Sequence, residues 1–582
     1  MNAFQQINTS LPSHLSGVIR TLLFLLLLFL AGPASGVMLV EFCPDPFLPN
    51  DRDEYLCIEG WGPAEGIMVT DGEGGFRFPP GTVLSGRTVV AMDAEAYRSS
   101  HGRYPDFEWD GNSPVVPDVV RTGRFQLSNA GDEILVYSGG VCLQKVEWPG
   151  TVSPRQGQVH FFADGRWDGR VLMLGQSQFA PATFDDAGGI AFVSPDCSRE
   201  VFAALVMGAE REILVSIYEF TSPVLSGFLE EAHTRGVAVE VLLEGGPVGG
   251  VPREEHDVVA RLLRSGIPVR TMQGTDLVHS PYRFLHSKYM VIDRSRVLVT
   301  SENFKENGFP ERGMRGNRGW GVAITHPGLA EYLRSVYTHD AGGEWTVAAA
   351  PKAGDPEIPT FGKYPAVFSP YVFEGATVTP VISPDTSSLL HPLILGAKSS
   401  VDIEMAYITN ETAQSLNPFL ADAVNVSRRG IPVRVILDSY YYNIGGDADN
   451  DELVDLLNRM AAAEGLPLEA RCAYLGPDSV EKIHNKGVIV DREQVLVSSI
   501  NWNMNSPTFN REVGVIIHHP GVGEYYSIAF ESDWEKAGQK EMGKGPDLLK
   551  IAAACVVIAA LLLLFWYRRK GGRLRATPRN RG

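Results

Sequence analysis

Two histidine-lysine pairs are the residues of this chain whose types and spacing most clearly indicate chemistry. The octet HSKYMVID begins at His286, and the octet HNKGVIVD begins at His484. In each, Lys follows the histidine by two positions and Asp by seven, a combination shown by no other of the 13 histidines. The candidate catalytic residues are therefore His286, Lys288, Asp293, His484, Lys486 and Asp491.

Each octet leads into an apolar run that is typical of a buried strand. Residues two apart on an extended strand share a face, so each imidazole and its neighbouring ammonium point the same way. One copy thus places a base or nucleophile beside a fixed positive charge. Six residues separate each Asp from the stretch TSEN or SSIN, which ends the next predicted strand. These two stretches carry the candidate substrate-binding residues Ser301, Asn303, Ser499 and Asn501.

Such a set of side chains suits displacement at a phosphodiester. That reaction needs a nucleophile, an acid behind the leaving oxygen, and positive charge around the non-bridging oxygens. Imidazole, with an ordinary pKa of about 6.5, can fill either of the first two roles near neutral pH. Two Lys and two Asn can stabilise the phosphate without a metal, so we predict no cofactor and no metal ion. A purely structural origin for the octets is disfavoured, because both occur at matching places in a repeat.

The repeat itself is an α/β unit. VSPDCSREVFAALVMGAEREILVSIYEF is answered by ISPDTSSLLHPLILGAKSSVDIEMAYIT, and in each copy helical segments alternate with continuous apolar strands. Strands of that kind indicate a sheet covered on both faces. We predict one half over residues 190–350, a Pro- and Gly-rich linker over 351–378, and a second half over 379–540.

The octets, with their downstream Ser and Asn, resemble the paired His-x-Lys-x4-Asp motifs of the phospholipase D superfamily. The resemblance extends from Phe192 to about Trp534. It implies two similar halves packed around a pseudo-twofold axis, each contributing one motif to a single site. One histidine would attack phosphorus while the other protonates the leaving alcohol. The family pattern makes His286 the nucleophile and His484 the acid and then base, although the symmetry of the motifs leaves the reverse order open.

The resemblance also suggests roles for the remaining site residues. Lys288, Lys486, Asn303 and Asn501 would grip the phosphate, whereas Ser301 and Ser499 would assist or cap local turns. Asp293 and Asp491 complete the motifs, but their place at a strand end favours a supporting role. The second half has NREVGVII with Glu512, where the first half has NRGWGVAI with Gly319. An acidic residue here commonly orients a catalytic histidine in the family, so Glu512 is a predicted orienting residue and the first half lacks its counterpart.

Ahead of the repeat, short apolar segments separated by turn clusters predict an all-β, immunoglobulin-like sandwich over residues 37–149. FRFPPGTVLSGRTVV and FQLSNAGDEILVYS resemble the lamin-tail type of domain. Such a domain usually serves as a binding module, and the sequence does not indicate its ligand. We predict a linker over residues 150–189.

An apolar run lies near each end of the chain. Residues 1–36 resemble a secretory signal peptide, with an uncleaved anchor as the alternative. Residues 548–567 are predicted to form a transmembrane helix, with a buried core helix as the alternative. The basic tail at 568–582 then places the C-terminus in the cytoplasm by the positive-inside rule. These predictions together describe a single-pass protein of the cell membrane with extracellular catalytic domains.

The charge of the chain bears on its substrate. Eight of the 51 Lys and Arg lie outside residues 37–567, which leaves 43 against 69 acidic residues, a formal charge of about −26 for that segment. Such a body repels polyanions at long range. A phospholipid is therefore the favoured phosphodiester substrate, through hydrolysis or phosphatidyl transfer. An extracellular nuclease acting on nucleic acid is the first alternative, and a non-catalytic surface binding protein is the second.

Overall fold

The computed structural model describes residues 36–275, 278–350, 359, 361–412, 415–446 and 449–538. The predicted signal peptide, except for Gly36, and the predicted basic tail lie outside these ranges. One part of the predicted fold is wrong: none of the helices in the described ranges is long and apolar enough to cross a membrane. The predicted transmembrane helix at 548–567 falls outside the described residues.

The first part of the chain forms two sheets packed face to face. One sheet has the order β11-β10-β1-β2-β5-β6, with β12 beside β10, and the other has the order β7-β4-β3-β8-β9. Apolar side chains from both sheets, such as Phe42 and Ile134, share one core. The elements are β1 (Met38–Cys43), β2 (Tyr55–Pro63), β3 (Ile67–Thr70), β4 (Gly75–Arg77), β5 (Val83–Ala91), α1 (Ala94–His101), β6 (Phe107–Glu108), β7 (Val120–Thr122), β8 (Asp132–Ser138), β9 (Val141–Trp148), β10 (Gln158–Ala163), β11 (Arg166–Trp167) and β12 (Leu172–Met173).

The segments predicted as linkers carry strands. Residues 150–189 contain β10, β11 and β12, which belong to the first sheet of the sandwich. β10 pairs with β1 through Glu41 and Phe161, so the sandwich extends well beyond residue 149. These strands are short and interrupted by Gly and Asp, so no continuous apolar run in the sequence predicts them. Residues 351–378 likewise include the start of a long strand at Tyr371.

The first half of the repeat is an α/β unit whose central strands are almost wholly buried. One of its helices begins at a side-chain cap: Ser222 accepts a hydrogen bond from the Leu225 N–H, and proline occupies the first turn. The elements are β13 (Phe184–Ser194), α2 (Ser198–Met207), β14 (Glu212–Ile217), α3 (Pro223–Thr234), β15 (Ala238–Glu244), α4 (Arg253–Arg264), β16 (Val269–Met272), β17 (Lys288–Ile292), β18 (Arg296–Thr300), β19 (Gly319–Thr325), α5 (Pro327–Gly342) and β20 (Thr346–Ala348).

The second half repeats this order. Its last helix begins as its counterpart does, with the His519 imidazole accepting a hydrogen bond from the Val522 N–H as His326 does from Leu329. The elements are β21 (Tyr371–Ser383), α6 (Leu390–Leu395), β22 (Val401–Met405), α7 (Pro418–Arg428), β23 (Val433–Leu437), α8 (Asn450–Glu464), β24 (Leu468–Cys472), β25 (Lys486–Val490), β26 (Gln494–Ser498), β27 (Glu512–His518) and α9 (Pro520–Lys536).

Both halves share one sheet of fifteen strands. The order is β20-β16-β15-β14-β17-β18-β19-β13-β21-β27-β26-β25-β22-β23-β24, which is almost symmetric about the antiparallel pair β13 and β21. Equivalent residues also pair alike: Ile217 lies opposite Lys288, and Met405 lies opposite Lys486. The predicted pair of similar halves around a pseudo-twofold axis is therefore confirmed.

Two buried arginines hold the halves together. Arg318 of the first half contacts Asp196 at 2.9 Å and, on α9 of the second half, Asp533 at 2.6 Å. By the same pattern, Arg511 of the second half contacts Asp340 on α5 of the first half at 2.8 Å. Both arginines are almost fully buried, so their charges depend on these partners.

We expect Arg318→Met to lower the free energy of unfolding by about 3–5 kcal/mol, because Asp196 and Asp533 would stay buried without their cation. Chemical denaturation followed by tryptophan fluorescence measures this change. The matched control is Arg492→Met, which removes an exposed pair with Glu524 and should cost about 0–1 kcal/mol. Equal losses in the two variants would contradict the role given to Arg318.

Candidate active site

Each histidine of the two octets lies just before a central strand and is held by the opposite half. The backbone N–H of His286, ahead of β17, donates to the Arg511 carbonyl at 2.9 Å. The N–H of His484, ahead of β25, donates to the Arg318 carbonyl at 2.8 Å. The charge on Lys486 contributes to the pKa of His286, and that of His286 to the pKa of His484. The two octets thus lie close together between the halves.

His286 is bound by a carboxylate from the second half. Its Nδ1 lies 2.8 Å from Oε2 of Glu512, while Oε1 of Glu512 accepts hydrogen bonds from Ser506 and from Asn510. Burial alone would raise the pKa of Glu512, but the neighbouring His286 and Lys288 outweigh it, and the pKa is lowered. Glu512 is therefore ionised and orients the imidazole.

His484 faces a carboxyl group from the first half, Glu302, which the sequence analysis missed. Oε1 of Glu302 lies 3.4 Å from Nδ1 of His484, and neither atom has a hydrogen-bond partner within the described residues. Burial raises the pKa of Glu302 to about 7. Burial also lowers the pKa of His484, and the charges of Lys486, Lys482 and Lys288 lower it further. The contact between His484 and Glu302 is longer than the one between His286 and Glu512. Glu302 holds its proton below about pH 7.

The expectation that the first half lacks a counterpart of Glu512 is therefore wrong, since Glu302 supplies the carboxyl group from another position. Glu302 stands between Ser301 and Asn303, where the second half has Ile500. A Cβ at Gly319 would lie 2.3 Å from Glu302 Oε1, so glycine leaves the space that Glu302 fills. Each carboxyl group is also bound by an equivalent asparagine: Asn317 donates to Glu302 at 2.9 Å, as Asn510 does to Glu512. The acidic residue in TSEN was the available signal.

The two lysines concentrate positive charge between the histidines. Nζ of Lys288 donates to the His286 carbonyl at 2.7 Å, and Nζ of Lys486 donates to the His484 carbonyl at 2.7 Å. Burial lowers the pKa of Lys288 to about 8. Burial and the charge of Lys288 lower the pKa of Lys486. Two ammonium groups that repel each other in a buried site are stabilised when an anion binds between them.

The predicted asparagines and serines occupy different environments. The Oδ1 atoms of Asn303 and Asn501 are buried without a hydrogen-bond partner in the described part of the chain, so these amides are not fully used by the fold. The serine hydroxyls, by contrast, form hydrogen bonds with the backbone. Ser301 Oγ accepts from the Trp320 N–H at 3.1 Å, and Ser499 Oγ accepts from the Val513 N–H at 3.1 Å. The serines fix the strand ends that present the asparagines.

Asp293 and Asp491, predicted among the catalytic residues, lie at the far ends of β17 and β25. Each histidine precedes its strand and each Asp follows it. The five residues of the strand between them span about 16 Å. Asp293 accepts hydrogen bonds from the backbone N–H groups of 210–212, and Asp491 accepts them from those of 398–400. Both have positive φ, at 54° and 56°. They stabilise tight turns, so the catalytic assignment is corrected.

Comparison with known proteins agrees with this architecture. The family model described as "Cardiolipin synthase, PLD-like domain" matches residues 203–341 and 390–534, one range in each half. The matched ranges include both histidine motifs and the residues that face them. The chain therefore belongs to the phospholipase D superfamily. The match does not reach the N-terminal sandwich, and the lamin-tail resemblance is not shown.

Several solved structures are similar to parts of the chain. Phosphatidylserine synthase from Haemophilus influenzae is 14% identical, with 64% of this chain and 94% of that chain covered and a TM-score of 0.43. Nuc, a phospholipase D family member from Salmonella typhimurium, is 23% identical, with 29% and 99% covered and a TM-score of 0.23. NucT from Helicobacter pylori is 18% identical, with 28% and 98% covered and a TM-score of 0.23. No curated protein matches the chain.

Proposed function

We propose that this protein is a phosphodiesterase that forms a phosphohistidine on His286 and acts on phospholipids, by hydrolysis or by phosphatidyl transfer. The observation that carries the proposal is the pair of imidazole–carboxyl contacts made across the halves, His286 with Glu512 and His484 with Glu302. One carboxyl group is ionised and the other holds a proton near neutral pH. A double displacement needs this difference, because one imidazole must attack while the other gives a proton.

In the first step, Nε2 of His286 forms a bond to phosphorus as the bond to the leaving oxygen breaks. Glu512 accepts the Nδ1–H of His286, which keeps the lone pair at Nε2 and stabilises the positive charge that develops on the ring. The leaving oxygen takes the Nε2 proton of His484. The carboxyl proton of Glu302 then passes to Nδ1 of His484, so the ring leaves this step neutral.

In the second step, a water or alcohol oxygen forms a bond to phosphorus as the bond to His286 breaks. Its proton goes to Nε2 of His484, and the Nδ1 proton of His484 returns to Glu302. The starting protonation state is thereby restored. Throughout both steps, the ammonium groups of Lys288 and Lys486 stabilise the charge on the non-bridging oxygens.

Three observations support a phospholipid as the substrate. Residues 37–567 carry about −26 formal charge, and a body of that charge disfavours the approach of a long polyanion. The matching family model is described for cardiolipin synthase, an enzyme whose name refers to a phospholipid. Aromatic rings near His286 provide an apolar wall, since the Tyr218 ring lies 4.6 Å from the imidazole.

A side-by-side assay tests the substrate. The full-length protein is incubated with labelled phospholipid vesicles and, separately, with labelled single-stranded DNA, both with EDTA present. We expect head-group release from the vesicles to be at least about tenfold faster than cleavage of the DNA, in line with the repulsion of polyanions. Faster cleavage of DNA would establish a nuclease instead, and turnover of neither substrate would favour a binding protein.

A further inference from the structure

Lys482 is a cation at the active site that the two steps above do not use. It lies two residues before His484 in a segment paired with Arg318, whose N–H donates to the Lys482 carbonyl at 2.8 Å. Residues two apart in an extended segment share a face, so the side chains of Lys482 and His484 lie on the same side. After burial and Lys486, the charge of Lys482 is the next cause that lowers the pKa of His484.

The ammonium group of Lys482 is positioned by a neutral partner. Its Nζ donates to the Tyr442 hydroxyl at 2.9 Å and lies 5.6 Å from the centre of that ring. Among the described residues, no carboxylate lies within ion-pair distance of Lys482. Lys305, a lysine of the first half near the site, is by contrast paired with Glu219 at 2.6 Å. Burial lowers the pKa of Lys482, but Tyr442 and the carboxyl groups of Glu302 and Asp438 outweigh it, and the pKa is raised. Neither carboxyl group is paired with Lys482, so its ammonium group can still bind an incoming anion.

The pseudo-twofold axis places an apolar residue at the equivalent position. Phe284 lies two residues before His286, and the Arg511 N–H donates to its carbonyl at 2.9 Å, as Arg318 does to Lys482. The Phe284 ring lies 6.1 Å from the Tyr218 ring, which also contacts His286. The His286 side of the site is aromatic and the His484 side is cationic. Two duplicated halves have thus acquired surfaces that suit different parts of one substrate.

We propose that Lys482, positioned by Tyr442, binds a second anionic group on the leaving alcohol, so that the preferred substrate is a phospholipid whose head group carries a phosphate or a carboxylate. This inference rests on the proposed function, in which His484 protonates the leaving oxygen. Because Lys482 is beside that proton donor, the group it binds belongs to the departing alcohol. The diacylglycerol part remains bonded to phosphorus at His286, next to Phe284 and Tyr218.

The test compares three short-chain lipids with the full-length protein. Dihexanoyl phosphatidylglycerol has a neutral head group, dihexanoyl phosphatidylglycerol phosphate adds a phosphate, and dihexanoyl phosphatidylserine offers a carboxylate. The wild-type protein is expected to prefer at least one anionic head group over the neutral one in kcat/KM. In Lys482→Met this preference, the ratio of kcat/KM for the anionic lipid to kcat/KM for the neutral one, should fall by about 10- to 100-fold, mainly through KM. Lys482 also acts on the pKa of His484, and the ratio cancels that effect because it applies to all three lipids. The anionic lipid whose kcat/KM falls toward that of phosphatidylglycerol in this variant shows whether Lys482 binds a phosphate or a carboxylate.

Three further variants separate recognition from a structural role. Lys482→Arg keeps the charge and should retain most of the preference, and Tyr442→Phe removes the positioning hydroxyl and should lower it by a smaller factor. Lys398→Met, a matched loss of an exposed lysine near Asp491, should leave the preference unchanged. Equal kcat/KM for all three lipids in the wild type, or an unchanged preference in Lys482→Met, overturns this inference alone. A wild type that hydrolyses none of them overturns the proposed function as well.

Discussion

The His286→Ala variant should form no phosphohistidine and should lose at least about 10⁴-fold in kcat/KM, because the nucleophile is gone. His484→Ala should behave differently with bis(p-nitrophenyl) phosphate. The p-nitrophenolate anion leaves without a proton, so His286 still attacks and one equivalent is released. The covalent intermediate then persists, because no base activates water. Rapid-quench measurement of p-nitrophenol, with mass spectrometry of the phosphorylated peptide, distinguishes the two variants.

The control for this pair is His518→Ala, which removes an exposed histidine of the second half and should keep wild-type turnover. A burst in His286→Ala with the phosphoryl group on His484 would reverse the two roles. The absence of a burst in both active-site variants, with both proteins folded, would argue against any covalent intermediate on these residues.

The pH dependence of turnover should depend on Glu302. Burial raises the pKa of Glu302 to about 7, so this group holds its proton below that pH and loses it above. For a diester with a poor leaving group, wild-type kcat should therefore fall as the pH rises through about 7. Glu302→Gln cannot return a proton to His484, and we expect kcat to drop by about 10²- to 10³-fold and the alkaline limb near pH 7 to disappear.

Glu512→Gln is the matched comparison, since it makes the same change at the other histidine. It should lower turnover by weakening the orientation of His286, but the alkaline limb set by Glu302 should remain. The relevant measurement is kcat from pH 5 to 9 for each variant with a dialkyl phosphodiester. If the alkaline limb survives in Glu302→Gln, the proton on Glu302 is not the one that His484 delivers.

Much of the site could be predicted from the sequence because its signals are local. The spacing of His286 and Lys288, and of His484 and Lys486, depends only on strand geometry, in which residues two apart share a face. The repetition of that spacing indicated a duplicated α/β unit, and the resemblance to the phospholipase D superfamily implied one site built from both copies. Apolar runs likewise predicted the central strands, because burial on both faces leaves a continuous pattern. The short strands of 150–189 carry no such pattern and were read as a linker.

The partners of the histidines could be found only in the folded chain. His286 and Glu512 are 226 residues apart in sequence, and no local pattern links two residues at that distance. Aligning the two copies led to a wrong prediction for the first half, because the residue aligned with Glu512 is Gly319. In the folded protein the carboxyl group comes from Glu302, which fills the space left by that glycine. Asp293 shares a motif with His286, yet the strand between them carries it to a distant turn.

The sequence by itself determined which residues are the candidates for catalysis and that two similar halves contribute them. The tertiary structure decided which carboxyl group faces which imidazole, and it set the pKa of Glu512 low and that of Glu302 high. The physical reason is that side-chain type and strand periodicity are properties of neighbouring residues, whereas burial and charge at the site come from segments that meet only when the two halves pack.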